Sequence, residues 1–297
     1  MPLTEERVFR VRSYECDAYG HVNHANYLRY MQEAAFDAAA AAGYDATEHA
    51  ASGRSWLIRE TDVEFLRPLR YGESVRVRTW VADFRRVRSL RAYELRLTDT
   101  LELVARGSTD WVYLDTASGR PAPIPEEMKL AFVPEGVPET TPSRQRFPKA
   151  PPPPPGVFRQ RRRVEWRDLD QVQHVNNAVY LAYIEDCGVQ MAAARGWPIA
   201  RLQEDGHRIT ARQHRIEYRA PAMLGDMLHV SMWLSNIGRT SFSRHTTVTR
   251  PGDGALVARA HTVHQWMAPG TGKPTAIPHA FLADAASDIA DNEAADH

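Results

Sequence analysis

The sequence predicts an α+β chain in which one unit, a long helix followed by antiparallel strands, is used twice. Three observations predict it. The stretch Asp17-Ala18-Tyr19-Gly20-His21-Val22-Asn23-His24-Ala25-Asn26-Tyr27 returns as Asp170-Gln171-Val172-Gln173-His174-Val175-Asn176-Asn177-Ala178-Val179-Tyr180, at a constant offset of 153 residues (170 − 17). Each copy runs into an alanine-rich helical segment and then into segments that alternate apolar and polar residues. A proline run, Pro151 to Pro155, stands between the copies.

The offset extends well beyond the motif. Arg10 matches Arg163, Gly43 matches Gly196, Glu64 matches Glu217, Pro68 matches Pro221, Gly72 matches Gly225, Trp80 matches Trp233, and Gly119-Arg120-Pro121 matches Gly272-Lys273-Pro274. A register sustained over so many positions marks a duplicated domain. It divides the chain into an N-terminal domain at 1–134, a proline-rich linker at 135–156, a C-terminal domain at 157–280 and a frayed acidic tail at 281–297.

Taken in order, Val8 to Arg12 alternate and read as a strand. Tyr27 to Ala42 read as one helix rich in Ala, Leu, Met, Gln and Glu, with Gly43 placed to cap its C-terminus. The alanine load lets a sheet approach closely, so the helices should be central, with Ala39 and Ala193 on buried faces. Strand patterns resume at Trp56-Leu57-Ile58 and Asp62 to Leu66, then at Ser74 to Val81, Leu90 to Leu97 and Leu103 to Val112. Thr98-Asp99-Thr100 is a hairpin turn. The proline run favours an extended, semi-rigid conformation and cannot join a central strand.

Composition bounds the function. The chain has 297 residues, 43% hydrophobic and 25% charged, which is globular. Lys plus Arg and Asp plus Glu are equal at 37, so global charge points to no nucleic acid. The local runs Arg85-Arg86 and Arg161-Arg162-Arg163 suit a solvated face. No stretch approaches the ~18 apolar residues of a membrane span, and Met1 to Arg12 lacks a signal-peptide core. The two cysteines, Cys16 and Cys187, fit a reducing cytoplasm without a disulfide framework. Expected are no membrane association, no metal and no cofactor, and a homo-oligomer of the chain is possible.

The motif places an Asp and a His just before a helix begins. The first N–H groups of a helix lack partners and carry partial positive charge, which suits a developing oxyanion. Asp17 and Asp170 can take a proton from water or attack directly, with His21 and His174 beside them. Glu64 and Glu217 follow Val63 and Ile216 on strand-like segments, so each faces the other side of the sheet from its neighbour; on the helix side such a Glu would be partly buried and a candidate base. The same residues also admit structural roles. The Asp residues suit turns or caps, Asn23 and Asn176 suit organising the loop, and Tyr27 and Tyr180 suit helix packing. His261 and His264 lie three apart on a strand pattern and so face opposite sides, which argues against a metal site. Cys16 is a poorer nucleophile candidate than Asp17, because Leu169 replaces it in the second copy.

Asp17-x-x-Gly20-His21-Val22-Asn23-x-Ala25-x-Tyr27-Leu28 resembles the signature of hotdog-fold thioesterases of the 4-hydroxybenzoyl-CoA thioesterase type. Trp166-Arg167-Asp168-Leu169-Asp170-Gln171-Val172-Gln173-His174-Val175-Asn176-Asn177, continued by Glu217-Tyr218-Arg219, is similar to the acyl-ACP thioesterases. The resemblance implies a double hotdog, two antiparallel sheets each wrapped around a long central helix and paired as an intrachain pseudo-dimer. It implies hydrolysis of an acyl-CoA or acyl-ACP thioester. Asp17 and Asp170 would be the acid–base or nucleophilic groups, helped by His21, His174, Glu64 and Glu217, with Asn23, Tyr27, Asn176 and Tyr180 against substrate. The acyl-ACP pattern has an Asn two residues after its motif Asp, where this chain has Tyr19 and Val172. Gly20 becomes Gln173, so the two sites should differ in shape. A non-catalytic acyl-thioester-binding module and a hotdog hydratase are the alternatives, although the Asp-x-Asn-x-x-His of such hydratases is missing.

Overall fold

A computed structural model describes residues 2–136, 144–268 and 272–290. The chain divides into two compact units, Met1–Arg146 and Phe147–His297. The division falls inside the expected linker.

The first unit opens with β1 (Thr4–Arg10), a 3-10 turn (Ser13–Glu15) and the motif loop, followed by α1 (His24–Ala41) and α2 (Ala46–Ala51). Four strands follow: β2 (Arg54–Phe65), β3 (Ser74–Phe84), β4 (Arg88–Leu97) and β5 (Leu103–Asp115), and then the short α3 (Glu126–Phe132). The sheet order is β1-β3-β4-β5-β2, antiparallel at the contacts β1–β3, β3–β4, β4–β5 and β5–β2. Two expected strand pieces around Ile58 and Val63 are one continuous β2, with a register shift between Ile58 and Glu60. The hairpin at Thr98–Thr100 joins β4 to β5 and places Leu101 at φ 59°.

α1 packs on one face of this sheet. Ala34, Ala35 and Ala38 are buried with Tyr27, Leu28, Tyr30 and Met31, whereas Ala39 is only half-buried. Gly107 on β5 explains how close the helix comes: a Cβ there would lie 3.1 Å from Met31 Cε and 2.7 Å from the Asp62 carbonyl oxygen. At the helix C-terminus Gly43 adopts φ 84°, and Tyr44 N–H donates to the Ala39 carbonyl, the expected left-handed cap.

The second unit repeats the plan with β6 (Phe158–Arg163), a 3-10 turn (Trp166–Asp168), α4 (Asn177–Ala194), α5 (Ile199–Glu204), β7 (Arg208–Tyr218), β8 (Met227–Ser235), β9 (Ser241–Arg250), β10 (Ala255–Met267) and α6 (His279–Asp284). Its order is β7-β10-β9-β8-β6, again antiparallel. Gly196 caps α4 at φ 80°. The buried face of α4 runs through Tyr180, Ile184, Cys187, Gly188, Met191 and Ala192; Ala193, expected to be buried, is exposed because it lies one position off that stripe.

The expected tail also begins later than its composition implied. Residues 281–290 include part of α6 and a second 3-10 turn, Ala286–Asp288, and Asp288 is fully buried beneath Arg195 at 2.6 Å. The ion pair from part-exposed Arg195 to buried Asp288 and the backbone bridge from Ile289 to Leu234 hold this acidic segment in place; residues 291–297 lie outside the described ones. Within the linker, the Pro151 carbonyl accepts a hydrogen bond from Trp233 Nε1 at 3.2 Å, and residues 137–143 are outside the described set.

Candidate active site

Each motif loop is a small closed turn built by its own Asp. The Asp17 carboxylate accepts hydrogen bonds from the backbone N–H of Tyr19 at 2.8 Å and His21 at 3.1 Å, and Asp17 N–H donates to the His21 carbonyl at 2.7 Å. In the second unit the Asp170 carboxylate accepts from Val172 N–H at 3.1 Å, and Asp170 N–H donates to the His174 carbonyl at 2.9 Å. The fourth residue of each turn is left-handed, Gly20 at φ 71° and Gln173 at φ 63°. Glycine adopts that conformation freely, whereas a Gln there is strained.

The loop then delivers the chain into the helix. Asn23 and Asn176 are the N-caps of α1 and α4; each side-chain oxygen accepts from an N–H two residues on, Ala25 or Ala178, at 3.0 Å. Leu69 N–H donates to the Tyr27 hydroxyl at 2.9 Å, and burial pushes that phenol well above its ordinary pKa. Tyr180 is buried likewise, edge-on to Tyr218 at 5.6 Å, with its pKa raised by burial. The two Asn therefore cap the helix starts, while Tyr27 ties α1 to the segment after β2 and Tyr180 packs α4 on the end of β7. Asp17, Asp170 and His174 remain half-exposed, and His21 is buried.

A second pair of carboxylates lies directly beneath the loops, and the sequence reading gave it no role. Glu15 is buried and accepts from the Tyr30 hydroxyl and from Arg12 N–H, each at 2.7 Å. Asp168 is buried and accepts from the Tyr183 hydroxyl at 2.6 Å and from Glu165 N–H at 2.8 Å. The backbone carbonyls of Glu15 and Asp168 accept from Asn23 N–H and Asn176 N–H, both at 2.9 Å. Each carboxylate thus ties the turn before the motif to the second turn of the helix. Burial, then the carboxylate, raises the pKa of Tyr30 and of Tyr183. Both pairs keep the 153-residue offset (168 − 15 and 183 − 30), which is the sequence signal that could have found them.

The structure does not bring Glu64 and Glu217 to the loop of their own unit. Phe65 packs against Tyr27 at 5.1 Å and Tyr218 against Tyr180, so alternation turns both Glu residues to the sheet face away from the helix. Their settings differ. Glu64 is 38% exposed and pairs with Arg106 at 2.6 Å. Glu217 is 11% exposed, between Arg259 at 2.5 Å and Arg219 at 3.3 Å. On β10, His261 reaches Ser243 while His264 stacks on Phe242 at 5.2 Å, so the two imidazoles face opposite sides of the sheet. Cys16 and Cys187 are free thiols, and burial pushes Cys187 up to about 12, which makes it a poor nucleophile.

The model of the thioesterase-like superfamily matches residues 11–132 and 164–285, once per unit, and the chain belongs to that superfamily. Its fold is the double hotdog. The 12:0-ACP thioesterase from Umbellularia californica superposes with a TM-score of 0.70 at 22% identity, over 89% of this chain and 97% of that one. An acyl-ACP thioesterase from Bacteroides thetaiotaomicron gives 0.70 at 18% identity, over 88% and 98%. Among curated relatives, the chloroplastic acyl-[acyl-carrier-protein] hydrolase FATB2 of Cuphea viscosissima is 27% identical over 59% of this chain, of which the match spans 45% of the relative. A chloroplastic palmitoyl-acyl carrier protein thioesterase of Arabidopsis thaliana is 24% identical over 86% of this chain and 62% of its own length. The chain therefore spans roughly half to three-fifths of the curated relatives it matches. No described helix is long and apolar enough to cross a membrane.

Proposed function

We propose that the chain hydrolyses an acyl thioester carried on acyl carrier protein or CoA. The observation that carries this reading is the duplicated Asp-centred loop at the start of a central helix, in a chain of the thioesterase-like superfamily. The relatives named as acyl-ACP hydrolases support the carrier, and the domain boundaries 1–134 and 157–280 are part of the reading.

In the proposed reaction Asp17 or Asp170 accepts a proton from water as its oxygen attacks the thioester carbonyl, or attacks the carbonyl itself. A C–O bond forms, the carbonyl becomes an oxyanion, and N–H groups of the first helical turn stabilise it. The C–S bond then breaks, and His21 or His174 hands a proton to the leaving thiolate and regains one from the protonated Asp or from water. Where Asp itself attacked, water then cleaves the acyl–Asp anhydride to the acid and restores the carboxylate. Water ends in the acid and the thiol, with no cofactor. Glu64 and Glu217 assist through the other sheet face, and Asn23, Tyr27, Asn176 and Tyr180 shape the substrate's surroundings. A reducing cytoplasmic setting belongs to the proposal, supported by two free thiols.

One observation favours a second reading. The hydrogen bond that the Asp170 carboxylate accepts, from Val172 N–H, is internal to its loop, as a binding module without catalysis would need. Thiol release from a panel of acyl-ACP and acyl-CoA thioesters separates the two. Each single Asp→Asn variant should retain part of the activity, and Asp17→Asn with Asp170→Asn should lose ~10²–10⁴-fold. Wild-type turnover by the double variant would make the loop purely structural; no turnover by the native chain, with tight binding, would favour the module.

A further inference from the structure

The inner face of the second sheet carries a positive charge that no carboxylate pairs closely; Glu185 acts on it only from beyond ion-pair distance. Phe242, Arg244 and Thr246 alternate onto the α4 side of β9. Arg244 is 6% exposed, and a Cβ on Gly188 would fall 2.2 Å from its Nη1, so the guanidinium rests against bare helix backbone. Its nearest polar partner is His264 Nε2 at 3.4 Å, while its Nε has no hydrogen-bond partner. No carboxylate lies within ion-pair distance of it among the described residues. Thr246, 1% exposed, also leaves its hydroxyl without a partner. Burial lowers the Arg244 pKa to about 10, so it stays charged at neutral pH.

The first unit buries the equivalent Arg91 equally, at 6% exposed and also without an ion pair among the described residues, but surrounds it with different side chains. Arg91 reaches Thr79 Oγ1 at 3.4 Å and lies 5.4 Å over the Phe132 ring. Tyr93 and Trp111 fill the adjoining positions, both bonded to Thr109 Oγ1 at 2.8 and 2.6 Å. At the same offset the second unit has Thr246 for Tyr93, His264 for Trp111, Ala285 for Phe132 and Gly188 for Ala35. Four side chains shrink around the arginine; Phe242 for Ser89 and Met232 for Thr79 return part of that volume as apolar wall.

A buried guanidinium without a directly paired carboxylate is unfavourable, and its planar donors match one. We infer that the interior of the second unit binds the carboxylate of a long-chain acid, with Arg244 as its counter-charge and His264 and Thr246 as further hydrogen-bonding groups. The alkyl chain lies among apolar neighbours such as Met191, Met232 and Leu234. Gly188 stands twelve residues past the Asn176 cap, about 18 Å along the helix from the motif loop. That separation admits two sources of the carboxylate: a free fatty acid, or the far end of an ω-carboxyacyl chain.

The test is calorimetric titration of the full chain with hexadecanoic acid, its methyl ester and monomethyl hexadecanedioate. Hexadecanoic acid should bind at least tenfold more tightly than its ester, and Arg244→Met should abolish the difference. Tighter binding of monomethyl hexadecanedioate than of hexadecanoic acid identifies the ω-carboxyacyl source; equal binding identifies the free acid. Gly188→Ala, which keeps the charge but crowds it, should weaken acid binding at least several-fold, and it serves if Arg244→Met does not fold. Equal binding of acid and ester by the native chain, no binding of either, or a preference that survives both variants overturns the inference. Binding requires no turnover, so failure of the hydrolase reading leaves this result intact, and an active hydrolase can still fail it.

Discussion

In the first unit a row of side chains crosses the inner face of the sheet as Arg91, Thr109 and Thr61; in the second the same row is Arg244, Thr262 and His214. Both rows are centred on a threonine hydroxyl. In the first unit it is bonded by Tyr93 and Trp111, and in the second by His214 Nδ1 at 2.7 Å. Duplication has kept the backbone register and the loops while the interior hydrogen bonds passed from aromatic residues to imidazoles. A further difference lies at the helix–sheet contact. The first unit makes room with a glycine on the strand, Gly107, where the second has Ala260; the second makes room with a glycine on the helix, Gly188, where the first has Ala35. One fold accepts either solution because only the separation of the two layers has to be preserved.

Four measurements break or sharpen this comparison. The largest effect is expected at the outward-facing glutamates. Glu217, nearly enclosed by two arginines, should matter more than exposed Glu64, so Glu217→Gln should lower kcat/KM by ~10²–10⁴-fold and Glu64→Gln by less than about tenfold. Equal losses would mean that the two units serve the reaction alike.

Next come the carboxylate–tyrosine ties, where the units should behave identically. Tyr30→Phe and Tyr183→Phe each leave a buried carboxylate short of one donor and should each lower unfolding stability by about 2 kcal/mol. A urea series in which only one variant is destabilised would show that the tie matters in one unit alone.

The third measurement concerns acid. His245, at the position of Ala92, is buried on the outer sheet face, bonded to Ser235 at 2.7 Å and near His261, which itself faces Ser243 and the charge of Arg215. Burial, then His261, lowers the His245 pKa from 6.5 to about 4. The unfolded chain therefore takes up the proton first. The stability contribution is complete above pH 6.5 and falls as pH drops through the window toward about 4, on the order of 1–2 kcal/mol between pH 7 and 5. His245→Ala, which restores the first unit's residue, should flatten the pH dependence of the unfolding midpoint. An unchanged slope would place the acid sensitivity elsewhere.

The smallest effect is at the loop. Gln173→Gly should relieve left-handed strain and stabilise by up to about 1 kcal/mol, and Gly20→Gln should destabilise by a similar amount. If both changes are neutral, the loops tolerate either residue and the difference in shape between the sites has another origin.

The sequence alone determined the duplication, the order of helix and strands in each copy, the glycine caps at Gly43 and Gly196, and the motif loops, because these follow from local preferences and a constant register. It placed Asn23 and Asn176 in the loops before the helices, whereas their role as N-caps emerged only from the structure. The tertiary structure decided which way each side chain points and what meets it. Glu64 and Glu217 turn from their own helices because Phe65 and Tyr218 claim that side, and Ala193 lies outside the buried stripe. The acidic segment before residue 291 packs because Asp288 finds Arg195, far away in sequence. Glu15 with Tyr30, Asp168 with Tyr183, and Arg244 beneath Gly188 are likewise contacts across elements. Periodicity reports the face a residue occupies, whereas burial and pairing depend on which other element covers that face.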